Sequence, residues 1–211
     1  MQKKILILDT GVILPFCYID FPISKEKIIE ALLNDFDIFI PKNVEDEMQR
    51  PKPHLERQWD EISYIWSQIR RKINREDPPE SCFNIVSNKI PSREVEVTDR
   101  KVLSLGLYLS RLYRRPIFLL THERKAFQWF NFISREQQLG YVFSPFDIIA
   151  FMRLYLSLPY KETDYDCVWR ELYQFTGIPN LLVFRQIEYG PTLSLCLQHC
   201  ETQECMKKKG L

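Results

Sequence analysis

The sequence predicts an α/β fold, a mainly parallel sheet flanked by helices on both faces, and three observations carry that expectation. Short aliphatic runs, Ile5 to Leu8 and Ile117 to Leu120, are continuous rather than alternating, the pattern of strands buried on both sides. Longer stretches with apolar residues at helical spacing separate such runs, and parallel neighbours need crossovers of that kind. Proline and glycine stand at the changes, as at Pro41, Pro91, Pro116 and Gly140.

Taken in order, Lys4 to Leu8 reads as a buried strand that stops on Asp9, Thr10 and Gly11. A carboxylate at the end of an apolar strand is costly unless a metal, a basic partner or a helix end receives it. Lys25 to Asn34 is expected to be a helix, with Ser24 as N-cap. Phe36 to Ile40 is a second strand, ended by Pro41. In the next helix Asn43 and Asp46 fit an N-cap and its reciprocal partner, while Glu47 shares an inward face with Val44 and Met48. The ordinary alternative for Glu47 is a solvated helix acid.

Beyond Pro51 and Pro53, Leu55, Trp59, Ile62, Ile65, Trp66 and Ile69 form the stripe of a long helix. That helix closes in Arg70-Arg71-Lys72-Ile73-Asn74-Arg75, where cations complement the helix dipole or meet a nucleic acid. Cys82 to Ser87 reads as a small edge strand. Thr98 is expected to cap an apolar helix running to Tyr113, with Asp99 at its first position and Gly106 allowing close approach to a sheet. Ile117 to Leu120 then delivers Glu123 to the rim as Asp9 was delivered. After Gly140 come the strand Tyr141 to Phe143 and a capping box, Ser144-Pro145-Phe146-Asp147, which gives Asp147 a sufficient structural role.

The domain edge is placed at Pro159, giving residues 1–158 and a C-terminal α/β extension of residues 159–211. In that extension Asp164 to Phe175 is expected to be a helix, Leu181 to Ile187 a strand and Thr192 to Met206 a helix. Its function is not legible.

At 211 residues the chain can build one large core or a domain with an appendage, and a formal net charge of +1 excludes a global field as the means of holding a polyanion. No apolar run reaches membrane length and Asp9 interrupts the only leader-like stretch, so the expectation is a cytoplasmic protein that meets no membrane. The six cysteines are expected to be reduced. Cys196, His199, Cys200 and Cys205 cluster, but without the C-x-x-C pairs of a zinc site.

In a parallel sheet ligands bind at the carboxyl ends of the strands, where Asp9, Glu47, Asp99 and Glu123 could converge. Four ionised carboxylates repel, and a hard divalent cation relieves the repulsion. Mg²⁺ or Mn²⁺ takes oxygen ligands, completes its shell with water and phosphate, and can activate water against a phosphodiester.

Four segments in this order, Ile5-Leu6-Ile7-Leu8-Asp9-Thr10, Pro41-x-x-Val44-x-x-Glu47, Thr98-Asp99-Arg100-x-Val102-Leu103-x-Leu105 and Leu120-Thr121-x-Glu123-Arg124-Lys125-Ala126, resemble the PIN-domain nucleases over about residues 4–158. The resemblance implies a metal-dependent endoribonuclease cleaving single-stranded or structured RNA, as in many prokaryotic toxin–antitoxin systems. It implies Asp9, Glu47 and Asp99 as metal-binding acids. Glu123 stands where the family usually has aspartate, and a longer side chain there shifts a second metal. Thr10 and Thr121 would support the acids through their hydroxyls, and Arg100, Arg124 and Lys125 would track phosphates. RNA is the expected partner; an antitoxin or other protein partner and a homodimer are left open. The competing reading is a PIN-like scaffold with impaired chemistry, acting in protein or RNA assembly. Another α/β phosphate enzyme finds no Walker loop, D-x-D triplet or Ser-His-Asp set.

Overall fold

In the computed structural model, which describes residues 3–156 and 160–176, five strands form one parallel sheet. They are β1 (Lys4–Leu8), β2 (Phe36–Ile40), β3 (Asn74–Arg75), β4 (Ile117–Leu120) and β5 (Gly140–Phe143), in the order β3-β2-β1-β4-β5. The two aliphatic runs lie side by side at the centre, with Ile5 opposite Ile117 and Leu8 opposite Leu120. Every residue of Ile5 to Leu8 and Ile117 to Leu120 is buried, as continuous apolar strands require. The chain steps outward from β1 through β2 to β3, then returns to the far side of β1 for β4 and β5. Connections therefore diverge between β1 and β4, and that reversal opens a crevice beyond their carboxyl ends.

Helices cover both faces, as expected from the sequence. Helix α6 (Val97–Tyr113) crosses at Gly106, where a Cβ would lie within 3 Å of the Ile117 and Leu119 side chains. Side chains alternate along a strand, so Phe118 points to the opposite face. There helix α8 (Pro145–Tyr155) brings the Phe151 ring to 5.3 Å from that of Phe118 and 6.3 Å from that of Phe36. The capping box predicted at its start is present: Asp147 Oδ2 accepts from the Ser144 backbone N–H at 2.7 Å, and Ser144 Oγ accepts from the Asp147 N–H.

Several local expectations are corrected. Helix α1 (Thr10–Tyr18) was hidden by Pro15, which sits inside it. Proline removes one intrahelical bond, and the burial of Val12, Ile13, Phe16 and Cys17 outweighs that loss. The segment Cys82 to Ser87 is not a strand but part of α5 (Glu80–Lys89), with Cys82 and Val86 buried one turn apart on one face. Helix α2 (Ile28–Asp35) begins after Lys27, whose N–H is accepted by Glu30, while Ser24 takes the N–H of Glu26 instead. Helix α3 (Lys42–Met48) follows Pro41, which places Asn43 and Asp46 inside it rather than at its cap. Thr98 likewise falls within the first turn of α6, behind Glu96. After α4 (Glu56–Ile69), Arg70 to Lys72 makes a 3₁₀ turn, and Asn74 and Arg75 pair with β2 as an unanticipated edge strand.

Helix α7 (Arg124–Gln137) links β4 to β5, and α9 (Glu162–Thr176) realises the helix expected at Asp164 to Phe175. Val168 and Leu172, one turn apart, bury fully as α9 packs on α1 and α8. The expected strand at Leu181 to Ile187, the helix at Thr192 to Met206 and the Cys196, His199, Cys200, Cys205 cluster lie outside the described residues. Among the described residues Cys17, Cys82 and Cys167 are free thiols, and no helix is long and apolar enough to cross a membrane.

Candidate acidic cleft

Asp9 follows β1 directly and is the N-cap of α1. Its Oδ1 accepts from the Val12 N–H at 2.8 Å, which satisfies one donor at the helix start. Its Oδ2 is buried with no hydrogen-bond partner, and the residue is only 3% exposed. Glu47 reaches the same place from α3. Its Oε2 accepts from Thr10 Oγ1 at 2.6 Å and its Oε1 from Thr98 Oγ1 at 2.7 Å, so it ties the first turns of α1 and α6 together. It is not the solvated helix acid that spacing alone allowed. Asp99 is buried in the first turn of α6, and Glu123 immediately precedes α7.

All four acids line one cleft of about 360 Å³, with Thr10, Gly11, Glu96, Thr98 and His122 among its other walls. Its floor is the divergence of β1 and β4. Thr121, fully buried, accepts the Glu123 N–H on its hydroxyl at 3.2 Å and so fixes the turn that presents Glu123. Among the described residues, no three His, Cys, Asp or Glu side chains are gathered closely enough to hold a metal ion as they stand.

The electrostatics follow from crowding like charges in a partly dry site. Burial, then the charges of Asp9, Glu123 and Glu96, push the Asp99 carboxyl up to about 8 against the pull of His122. Loss of solvent also raises Glu123, which His122 counters and Asp9 reinforces. For His122 burial favours the neutral ring, yet Asp9, Glu123 and Asp99 outweigh it and raise its pKa above the ordinary value.

His122 is the site residue that the sequence did not disclose; it stands at the unspecified position of Leu120-Thr121-x-Glu123. Its Nδ1 lies 3.9 Å from Asp9 Oδ1, and its ring occupies the space that a side chain at Gly11 would fill. The one available signal was Gly11 itself, a residue without a side chain at the mouth of a helix. Arg100 departs from expectation. It is buried and donates to the backbone carbonyls of Val95 and Pro91, bracing the loop before α6 rather than facing a phosphate. Lys125 lies 3.5 Å from Glu94, and with Arg93 and Arg124 it lines a second cleft of about 480 Å³ that shares Glu96, His122 and Glu123 with the first.

The chain matches no protein-family profile, and no curated protein and no solved structure is significantly similar to it.

Proposed function

We propose that this protein is a metal-dependent endoribonuclease of PIN-like design, hydrolysing RNA phosphodiester bonds at the cleft of Asp9, Glu47, Asp99 and Glu123. The observation that carries the reading is Asp9 Oδ2, a carboxylate oxygen buried without a partner in a cleft shared with three other acids. An unpaired buried carboxylate oxygen is costly, and a cation is the partner whose charge also offsets the burial and the like-charge repulsion that together push Asp99 upward. The donor set is all oxygen apart from His122, which suits Mg²⁺ or Mn²⁺.

In this reading Asp9 and Asp99 hold the ion, with Glu123 placed to support a second or to orient water. Bound there, the metal supplies an activated water and stabilises charge on the phosphodiester. Thr10 and Thr98 keep Glu47 fixed by their hydroxyls, so the carboxylate spends no conformational freedom on finding its place. The neighbouring cleft with Arg93, Arg124 and Lys125 gives the flanking RNA backbone a path away from the acids. A cytoplasmic location and an RNA substrate belong to this proposal, as does a toxin-like role with a protein partner.

A specific observation favours the scaffold reading as the alternative. Both oxygens of Glu47 are already engaged by threonine hydroxyls, as in an acid that only fastens helices. Incubation of purified protein with single-stranded RNA in Mn²⁺ or Mg²⁺, beside Asp9→Asn, decides between them. Cleavage that needs both the ion and Asp9 supports the nuclease. A folded wild-type protein inert in both ions supports the scaffold.

A further inference from the structure

Five carboxylates line the acidic cleft, those of Asp9, Glu47, Glu96, Asp99 and Glu123, and among its lining residues Lys52 is the only lysine or arginine. Cations on neighbouring elements pair with the acids beside them: Arg75 lies 2.9 Å from Glu45, and Lys125 3.5 Å from Glu94. Lys52 does not. Half-buried in a cleft with five acids, its ammonium makes no ion pair and no hydrogen bond among the described residues. A partly desolvated charge of that kind calls for a partner of opposite sign from outside the chain.

The local sequence fixes where the lysine starts. Lys52 stands between Pro51 and Pro53, and a following proline disfavours the helical region, so its backbone is extended, with φ −103° and ψ 112°. The Leu55 N–H then donates to the Lys52 carbonyl at 2.8 Å, and Leu55 is buried. The chain after α3 therefore forms this wall of the cleft with little backbone freedom.

Acids alone repel a polyanion, so a phosphodiester reaches this cleft only where positive charge receives it. Arg93, Arg124 and Lys125 supply that charge in the second cleft, whereas Lys52 lines the first cleft and not the second. We infer that Lys52 is a phosphate seat for the RNA strand, holding its backbone in the part of the first cleft that the second does not share. The strand is then gripped on both sides of the bond to be cut. This rests on the proposed nuclease reading and deepens it: the substrate is an internal stretch of a strand rather than a strand end. Lysine meets phosphate as a point charge and reads no base, so the seat is indifferent to sequence.

The test is binding of a fluorescent single-stranded RNA to the full chain in chelator, over a series of low salt concentrations, for wild type, Lys52→Ala, Lys52→Arg and Lys42→Ala. Lys42 is the comparison because it carries the same charge, is exposed on α3 beside Asp77 and lines neither cleft. Lys52→Ala is expected to weaken binding by about fivefold, alike for strands of different sequence. It should also make the slope of log affinity against log salt shallower by about 0.7, the share of one phosphate on a single strand. Lys52→Arg should keep both quantities and Lys42→Ala should change neither. Wild-type affinity and slope in Lys52→Ala overturn the inference, and so does an equal loss in Lys42→Ala, which marks bulk charge alone. Wild-type protein that does not bind the strand overturns it too. Cleavage in Mn²⁺ judges the nuclease reading separately. Protein that cuts RNA while Lys52→Ala loses no affinity removes the seat and leaves the nuclease, whereas protein that binds through Lys52 and cuts nothing keeps the seat on an RNA-binding scaffold.

Discussion

Asp9 and Asp147 occupy equivalent places and have been put to different ends. Each follows a strand of the same sheet, each is almost wholly buried, and each serves the first turn of a helix. At Asp147 the capping box is reciprocal: Oδ2 takes both the N–H and the hydroxyl of Ser144, and Ser144 Oγ takes the N–H of Asp147. At Asp9 the bond to Val12 satisfies Oδ1, and Oδ2 has nothing. Helix capping engages one oxygen of each acid, and of the two it is Asp9 that keeps a buried oxygen without a partner. Position at a strand end does not tell these two acids apart; the unpartnered buried oxygen of Asp9 does.

The largest expected effect separates the two by activity. Asp9→Asn should lower metal-dependent RNA cleavage by about a hundredfold or more, since in the proposed nuclease the ion would lose a charged ligand. It should leave the protein folded, because the Asn carbonyl can still cap Val12 and one repelling charge has gone. Asp147→Asn should keep wild-type cleavage, measured on the same RNA. Equal loss in both would erase the distinction drawn here.

Next is stabilisation by the ion. A cation that binds only the folded protein adds about 2.7 kcal/mol at a hundredfold excess over its dissociation constant, seen as a melting temperature that climbs with metal. Replacing Asp9 and Asp99 together should flatten that climb, and replacing Asp147 should leave it intact. Melting curves indifferent to millimolar divalent ions would return Asp9 to the class of Asp147.

Without metal, pH supplies a third measure. Asp99 is held up to about 8 in the folded protein, whereas an unfolded aspartate titrates near 4, so between those values the folded state carries the extra proton. Stability should therefore fall as pH rises through that window, by up to about 1.4 kcal/mol per unit while the difference persists. The raised His122 acts in the same direction above its ordinary pKa. Asp99→Asn should flatten most of the slope in chemical denaturation at a series of pH values; an unaltered slope would show that burial and neighbouring charges do not hold the extra proton on Asp99.

Smaller effects complete the contrast. Asp147→Ala should cost about 1 kcal/mol of unfolding free energy, the usual value of a cap. Glu123→Asp should keep most of the cleavage, because it shortens an acid that already stands at the cleft mouth, and Glu123→Gln should lose it.

The features read correctly from sequence are those fixed by near neighbours along the chain. The aliphatic runs at Ile5 and Ile117, the close approach at Gly106 and the box at Ser144 all follow from local pattern. Local pattern also put Asp9, Asp99 and Glu123 at a strand end or a helix start and Glu47 on the inward face of α3, and the fold brings all four to line one cleft. What escaped depends on contacts across the chain. Glu47 meets threonines 37 and 51 residues away, and no spacing rule reports that. His122 joins the site only because the fold sets it against Gly11. Helix α1 was masked by a proline that burial overrides, and α5 by apolar residues whose short run fits a strand as well as a helix.

The central place of β1 carries a consequence for how the chain is made. Residues 4–8 leave the ribosome before the rest of the sheet, and their partner on one side, residues 36–39, follows soon after, but the partner on the other side is residues 117–120. At about 5–20 residues per second, this buried apolar strand waits several seconds or more with one edge bare. An unpaired apolar edge is a template for pairing with another chain. Nascent chains stalled before Leu120 should aggregate through Ile5 to Leu8, and the acidic cleft, which needs Glu123, comes into being only when that edge is closed.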